Sequence, residues 1–529
     1  MMNNNPVVHN ISNLRHREAL RFLRRSQVVS VMLISLLGLY SLSYGQQEIV
    51  GAKKWVGTWS TAPQLVETYN NPPSPGLTDN ALRQVVAVSI GGDTLRVGFS
   101  NEFSTSAVTM KSVHIAVSTG GSTIDTSTDE ELKFDGGPEV TIDAGAAVTS
   151  DPIAFYLTPR MQLAITIYYG QTSSTVTGHP GSRTTSYILS GNNAAKTDFA
   201  GAAATEHWYN INTIEVLAPS NAACIAILGN SITDGRGSTT NMQNRWPDIF
   251  SERLLQDSST DDIGVLNMGI GGNAVLAGGL GPTGVSRFDR DIINQSGVRW
   301  AIVFEGVNDI GGVRSSSAAT TMEANLIAAY RQMIIKAHAK NIRIYGATIM
   351  PFKGNGYYNQ YSESCRESVN QWIRTPGNFD ACIDFDKAMR NPLDTLSLVS
   401  SYQNDGLHPD AAGHKKMGES VDLSLFAAAD TTASGVKSTK TIYGYVLEQN
   451  YPNPFNPSTN ISFTLPSRSF VSLDIFDSIG REVAEIVSEE LPAGSYSREW
   501  NATNLASGVY YYRLHAGSFV QTRKLLLLK

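Results

Sequence analysis

A serine, a histidine and a carboxylate hydrolyse esters when they meet. The hydroxyl is a weak nucleophile by itself, a histidine removes its proton, and the carboxylate orients the histidine. Ser231 follows an apolar run and stands in Gly229-Asn230-Ser231-Ile232-Thr233-Asp234-Gly235. The histidines are His9, His16, His114, His179, His207, His338, His408, His414 and His515. His9 and His16 belong to a basic N-terminal segment, and His338 and His414 fall within helical patterns. His408 sits in a loop after the last apolar run, in Asp405-Gly406-Leu407-His408-Pro409. One tight turn can bring the Asp405 carboxylate to Nδ1 of His408 and leave Nε2 for Ser231. The same five residues also read as a plain turn before a helix with Pro409 in its first turn.

Two more loops bear on that choice. Asn267-Met268-Gly269-Ile270-Gly271-Gly272-Asn273 follows the second apolar run, and Gly306-Val307-Asn308-Asp309 the third. Acyl transfer needs N–H donors aimed at a developing oxyanion, and a backbone amide at Gly272 and the side-chain amide of Asn308 are of the right type. Alternatively the glycines make a tight turn and Asn308 caps a helix. Four such loops at successive strand ends, holding a nucleophile, two donors and a base, favour the hydrolytic reading.

The elements that must position these loops are legible as textures. Between 221 and 426, apolar runs at 224–228, 263–268, 300–304, 342–349 and 381–385 suit buried parallel strands. Helical patterns separate them, as at 323–339 with Leu326, Ile327, Tyr330, Ile334 and Ala337 on one face. This alternation predicts an α/β region whose strand ends, and therefore whose site, share one edge. The stretch 54–218 is a run of short alternating strands, read as a β-sandwich, with a hairpin expected from 83–90 and 94–99 around Gly91-Gly92-Asp93. After a polar linker, 427–440, residues 443–529 read as a small antiparallel β unit.

GNSITDG, NMGIGGN, GVND and DGLHPD, in that order, resemble the four blocks of the SGNH (GDSL-type) hydrolase superfamily. The resemblance covers roughly 221–426. It implies a flavodoxin-like three-layer α/β/α fold and ester hydrolysis without a metal or cofactor. By position, Ser231 resembles the family's nucleophile, Asp405 and His408 its other triad members, and Ser231, Gly272 and Asn308 its oxyanion hole. The family usually has Asp before the serine. Here it is Asn230, and activity is expected to survive with altered local hydrogen bonding. GNSITDGRGSTT, NRWPDIF, GLGP and FEGVNDIGG are similar to a branch of xylan-associated arylesterases and acylhydrolases, whose members carry an N-terminal β domain opening like Trp55-Val56-Gly57-Thr58-Trp59.

The tail resembles a type IX secretion sorting domain, an Ig-like address often removed after export. The residues concerned are Asn450-Tyr451-Pro452-Asn453-Pro454-Phe455-Asn456-Pro457 and Leu505-Ala506-Ser507-Gly508-Val509-Tyr510-Tyr511. This implies the secretion machinery as a partner, and the surface or surroundings of a Gram-negative bacterium as the location. The N-terminus agrees. Arg15, Arg17, Arg21, Arg24 and Arg25 precede an apolar run at 28–42, with Ser43 and Gly45 before a cut, so 1–45 reads as a signal peptide and the run as too short for a stable membrane span. Export would permit Cys365 and Cys382 to pair.

Composition narrows the partners. Lys+Arg 41 against Asp+Glu 47 gives a net charge of −6, which argues against nucleic acid as the partner. The expected substrate is an acylated carbohydrate or another small ester. Two other readings are a lipase or arylesterase on non-carbohydrate esters, for which Trp246, Phe288 and Phe304 would line an apolar groove, and a non-catalytic surface protein that stacks sugars on Trp55, Trp59 and Trp208; all six aromatics read more readily as core. Arg287 and Arg290 read as a solvated helix face.

Overall fold

The computed structural model describes residues 53–427 and, beyond them, 445–447, 449–450, 453–465, 467–492, 494–517 and 519–529. The expected signal peptide, 1–45, and residues 428–440 of the expected linker lie outside the described residues. The chain divides into two compact units, Met1–Ala427 and Ala428–Lys529.

Five strands, Ala223–Gly229, Ile263–Gly269, Val298–Phe304, Arg343–Ala347 and Ala381–Ile383, pair in parallel. Their spatial order is second, first, third, fourth, fifth. This is the flavodoxin-like order, which reverses direction beside the first strand and opens a crevice there at the strand C-termini. The strands are apolar throughout because helices cover both faces. On one face Ile225, Ile227, Trp300 and Ile302 pack with Trp246 and Phe250 of helix Trp246–Leu255 and Met417 of helix Ala411–Ser420. Alternate residues of the same strands, Ala226, Leu228, Ala301 and Val303, pack on the other face with Leu326 and Tyr330 of helix Ser316–His338 and Val369 of helix Gln360–Arg374.

The region before residue 220 is antiparallel. One sheet holds Lys53–Ser60, Ile211–Pro219 and Gly92–Ser100, and the larger one centres on Asn80–Ala87, Gln162–Tyr169 and Val108–Gly120. The expected hairpin does not form. Asn80–Ala87 pairs with Gln162–Tyr169 and Ser186–Ser190, while Gly92–Ser100 pairs with Ile211–Pro219, Ala147–Thr149 and Ile153–Leu157. The Gly91-Gly92-Asp93 turn instead carries the chain from one sheet to the other. Asn80–Ala87 is buried at every position, so it takes a central place, and its polar groups find internal partners. Arg83 Nε donates to Thr166 Oγ1 at 2.9 Å and Gln84 Nε2 to the Tyr209 carbonyl at 3.0 Å.

This β region is packed onto the parallel sheet. Val56 and Trp59 share one hydrophobic core with Leu266 and Met268 of the second parallel strand. Gly57 N–H donates to the Ser296 carbonyl at 2.9 Å, and Val265 N–H to Ser89 Oγ at 3.0 Å. Trp59 and Trp208 are buried and meet edge to face at 5.1 Å, so neither is offered to a sugar. Trp246, Phe288 and Phe304 are core residues too, at 0%, 0% and 2% exposure, and none of them lines the pocket that holds Ser231. Cys224, Cys365 and Cys382 are free thiols. Cys365 and Cys382 pack into the same hydrophobic core rather than bonding to each other.

In the second unit the described strands form two antiparallel sheets. One has Val446–Leu447, Ser458–Leu465 and Gly494–Asn501; the other has Glu482–Leu491, Ser469–Phe476, Gly508–Ala516 and Phe519–Leu527. Ile461, Phe463, Leu473, Tyr512 and Leu514 fill a core of its own.

Candidate active site

Ser231 opens the one-turn helix Ser231–Asp234 directly after the first parallel strand. Asn230 caps it, its Oδ1 accepting from Ile232 N–H at 3.1 Å. The Ser231 N–H therefore lies at a helix start, where backbone donors have no partner within the helix. Ser231 Oγ lies 2.9 Å from His408 Nε2. His408 Nδ1 lies 2.8 Å from Asp405 Oδ2. With Nδ1–H donating to the carboxylate, Nε2 carries the lone pair and accepts the serine hydroxyl.

The Asp405-to-His408 turn is built locally. Asp405 Oδ1 accepts the backbone N–H of Leu407 at 3.1 Å and of His408 at 2.8 Å. Gly406 has φ +79, and an added Cβ would stand 2.9 Å from the Gly354 carbonyl carbon, so both backbone shape and space call for glycine. Burial works against the Asp405 carboxylate, but the His408 amide and ring hold it below the usual carboxylate range. Burial also pushes the proton affinity of His408 down. Asp405 opposes that shift, and the charges of Arg236 and Arg183 add to it.

Gly272 and Asn308 line the same 410 Å³ pocket as Ser231 and His408. Gly272 has φ +70, and its N–H makes no hydrogen bond among the described residues. Asn308 lies in the short helix Val307–Ile310 after the third strand. Its Nδ2 donates to the Asn273 carbonyl at 2.7 Å, leaving one hydrogen, while its Oδ1 accepts from Tyr357 OH at 3.0 Å. Asp309 ties the two loops together, accepting from Val275 N–H at 2.9 Å and Leu276 N–H at 3.0 Å. The structure thus brings Ser231, His408 and Asp405 into one hydrogen-bonded line, with Gly272 and Asn308 beside it.

Several supporting residues carry no local sequence signal. Arg287 is not on a solvated face. Its side chain is fully buried, donating to the carbonyls of Gly229 at 2.9 Å and Met268 at 2.6 Å, to Asn273 Oδ1 at 3.0 Å and to Asp291 at 3.0 Å. It therefore gathers the ends of the first two strands, which carry the nucleophile and the glycine loop. Arg290 is three-quarters buried against Asp291 and Glu102. Asn230 Nδ2 donates to Glu305 Oε2 at 3.2 Å. An amide can make that bond, whereas an ionised aspartate would face a second carboxylate. Burial pushes the Glu305 carboxyl up to about 8 although Arg287 lies 3.5 Å away. Asp234, one turn after Ser231, accepts from His179 Nε2 and Arg183 Nη2 of the β region, both at 2.8 Å. Burial opposes the Asp234 charge, and Arg183 and His179 more than offset it.

Residues 227–416 match the model of the GDSL-like Lipase/Acylhydrolase family, and residues 449–528 that of the Secretion system C-terminal sorting domain. None of the curated proteins compared matches the chain. Among solved structures, a GDSL-like lipase from Bacteroides thetaiotaomicron is 17% identical, with 38% of this chain and 87% of that one covered and a TM-score of 0.29. The acetyl xylan esterase AlAXEase is 20% identical, covering 37% and 96%, TM-score 0.29. A catalytic mutant of Axe2, an acetylxylan esterase from Geobacillus stearothermophilus, is 19% identical, covering 38% and 92%, TM-score 0.29. No helix among the described residues is long and apolar enough to cross a membrane. The chain carries a GDSL-like lipase/acylhydrolase domain, which makes it an ester-hydrolysing enzyme, and a C-terminal sorting domain that directs it through type IX secretion to the cell surface or beyond.

Proposed function

We propose that this enzyme is a serine esterase that removes acyl groups, acetyl being the simplest, from carbohydrate, through a Ser231–His408–Asp405 triad and an acyl-enzyme. The observation that carries the reading is the 2.9 Å and 2.8 Å line from Ser231 Oγ through His408 to Asp405. His408 takes the serine proton as Oγ attacks the ester carbonyl. The N–H groups of Ser231 and Gly272 and the remaining Asn308 hydrogen receive the oxyanion. His408 then protonates the departing alcohol, and water releases the acyl group by the reverse roles. Polar side chains in the pocket wall, Gln64, Glu67 and Asn70 among them, suit a hydroxyl-rich substrate, while apolar surface from Pro180, Leu280, Tyr357 and Leu407 leaves room for a short acyl group. In the same reading 54–218 is a β domain, 221–426 the hydrolase domain, 427–440 a linker and 443–529 the sorting address.

Ser231→Ala and His408→Ala are expected to abolish p-nitrophenyl acetate hydrolysis with the circular dichroism spectrum unchanged. Normal turnover by either folded variant would refute the triad. A panel of acetylated xylan, pectin fragments and p-nitrophenyl esters of rising chain length tests the substrate, and hydrolysis confined to long chains would replace carbohydrate by lipid.

A further inference from the structure

The pocket holding Ser231 and His408 is walled in part by the β region, through Gln64, Glu67, Arg183 and His207, and by Arg236 of the nucleophile loop. The triad chemistry above needs none of these side chains. The charges of Glu67, Asp234, Arg183 and Arg236 sum to zero in this wall, but they are not all paired with one another. Asp234 is engaged by His179 and by one terminal nitrogen of Arg183. Glu67 accepts amide hydrogens from Gln64 and Asn70, each at 3.0 Å. The other terminal nitrogen of Arg183 has no hydrogen bond or ion pair among the described residues. The exposed Arg236 guanidinium has none either.

Position gives these two cations a meaning. Arg236 is followed by Gly237, which packs so closely on the Pro409 carbonyl that an added Cβ would overlap its oxygen, and Arg183 is held on Asp234, two residues before Arg236, so both line the pocket beside the His408 loop. His408 Nε2 delivers the proton to the departing alkoxide, so the alcohol half of the ester must lie beside it. The acyl oxygen faces Gly272 and Asn308 instead. A guanidinium presents paired donors that match a carboxylate. We infer that the β region completes the catalytic pocket as its leaving-group subsite, where Arg183 and Arg236 select esters whose alcohol portion carries a carboxylate, such as acyl groups on acidic sugars. This rests on the esterase reading above.

The test uses two acetate esters that differ in one charge, 4-acetoxybenzoate and its methyl ester, with the full chain. The readout is the ratio of kcat/KM for the anionic over the neutral ester. Arg236→Gln is expected to lower that ratio about tenfold, the worth of one charge-assisted hydrogen bond. Arg236→Glu should lower it further, and added salt should lower it in the wild type. Arg183→Gln should act in the same direction, but it also loosens Asp234, so the exposed Arg236 is the deciding position. A ratio unchanged in both Arg236 variants would overturn the subsite while leaving the esterase intact. Hydrolysis of both esters by Ser231→Ala would instead overturn the esterase site itself.

Discussion

In the proposed mechanism His408 works as a base only while neutral, so its proton affinity would set the acid limb of activity. Burial holds that affinity below the ordinary histidine value, with Arg236 and Arg183 adding to the effect against Asp405. kcat/KM is therefore expected to persist below pH about 6.5, the usual midpoint for histidine. Arg236→Gln removes one depressing charge, and a pH–rate profile should show the limb move up. Glu305 gives a second pH effect, on stability. Its folded carboxyl is pushed up to about 8, whereas in the unfolded chain it ionises at its ordinary value. Between those values the unfolded state holds fewer protons, so stability falls as pH rises from about 5 to about 8. Glu305→Gln should remove that part of the slope in a series of Tm measurements. The hydrogen-bonded line from Ser231 through His408 to Asp405 was legible in sequence because Ser231 and the Asp405–His408 turn each announce themselves within a few residues. Glu305 and Arg287 were not, because their partners lie far off in the chain; Asn230 and Glu305 are 75 residues apart.

The candidate site residues lie in loops and one-turn helices that follow the strands, and the parallel sheet brings them to one edge. Tyr357, which the sequence did not single out, is the case in point. It reaches from the loop before helix Gln360–Arg374 to Asn308 Oδ1 at 3.0 Å and fixes which way the amide faces. Losing an oxyanion donor outright costs about 10²–10³ in turnover. Tyr357→Phe frees the amide without deleting it, so we expect a loss of about tenfold, in kcat more than KM, within that bound. An unchanged kcat would mean that the Asn273 carbonyl alone suffices to orient Asn308. At this scale the five parallel strands were legible because strands buried on both faces are continuous apolar runs. The hairpin around Gly91-Gly92-Asp93 was misread for the same physical reason. Local turn residues report that the chain reverses, but not which sheet it reverses into, and burial of every residue from Asn80 to Ala87 decides that.

The chain divides into two compact units. The first contains both the antiparallel sheets and the hydrolase sheet, joined through the core around Trp59, Leu266 and Met268. Calorimetry should show one transition for this unit and another for the tail. Truncation after Ala427 should delete the tail transition and leave the first Tm and kcat/KM in place. A fall in either would mean that the tail stabilises the enzyme. That the β region is welded to the hydrolase was not legible, because the contacts that do it, such as Asp234 with His179 and Arg183, join residues more than fifty positions apart. The account as a whole depends on Ser231 being a nucleophile activated by His408. A fluorophosphonate ester reports this directly, since it forms a stable adduct only with such a hydroxyl. Mass spectrometry of the digested protein is expected to find one adduct, on the peptide containing Ser231, absent from Ser231→Ala and formed far more slowly in His408→Ala. No adduct, or an adduct on another residue in the wild type, would contradict it.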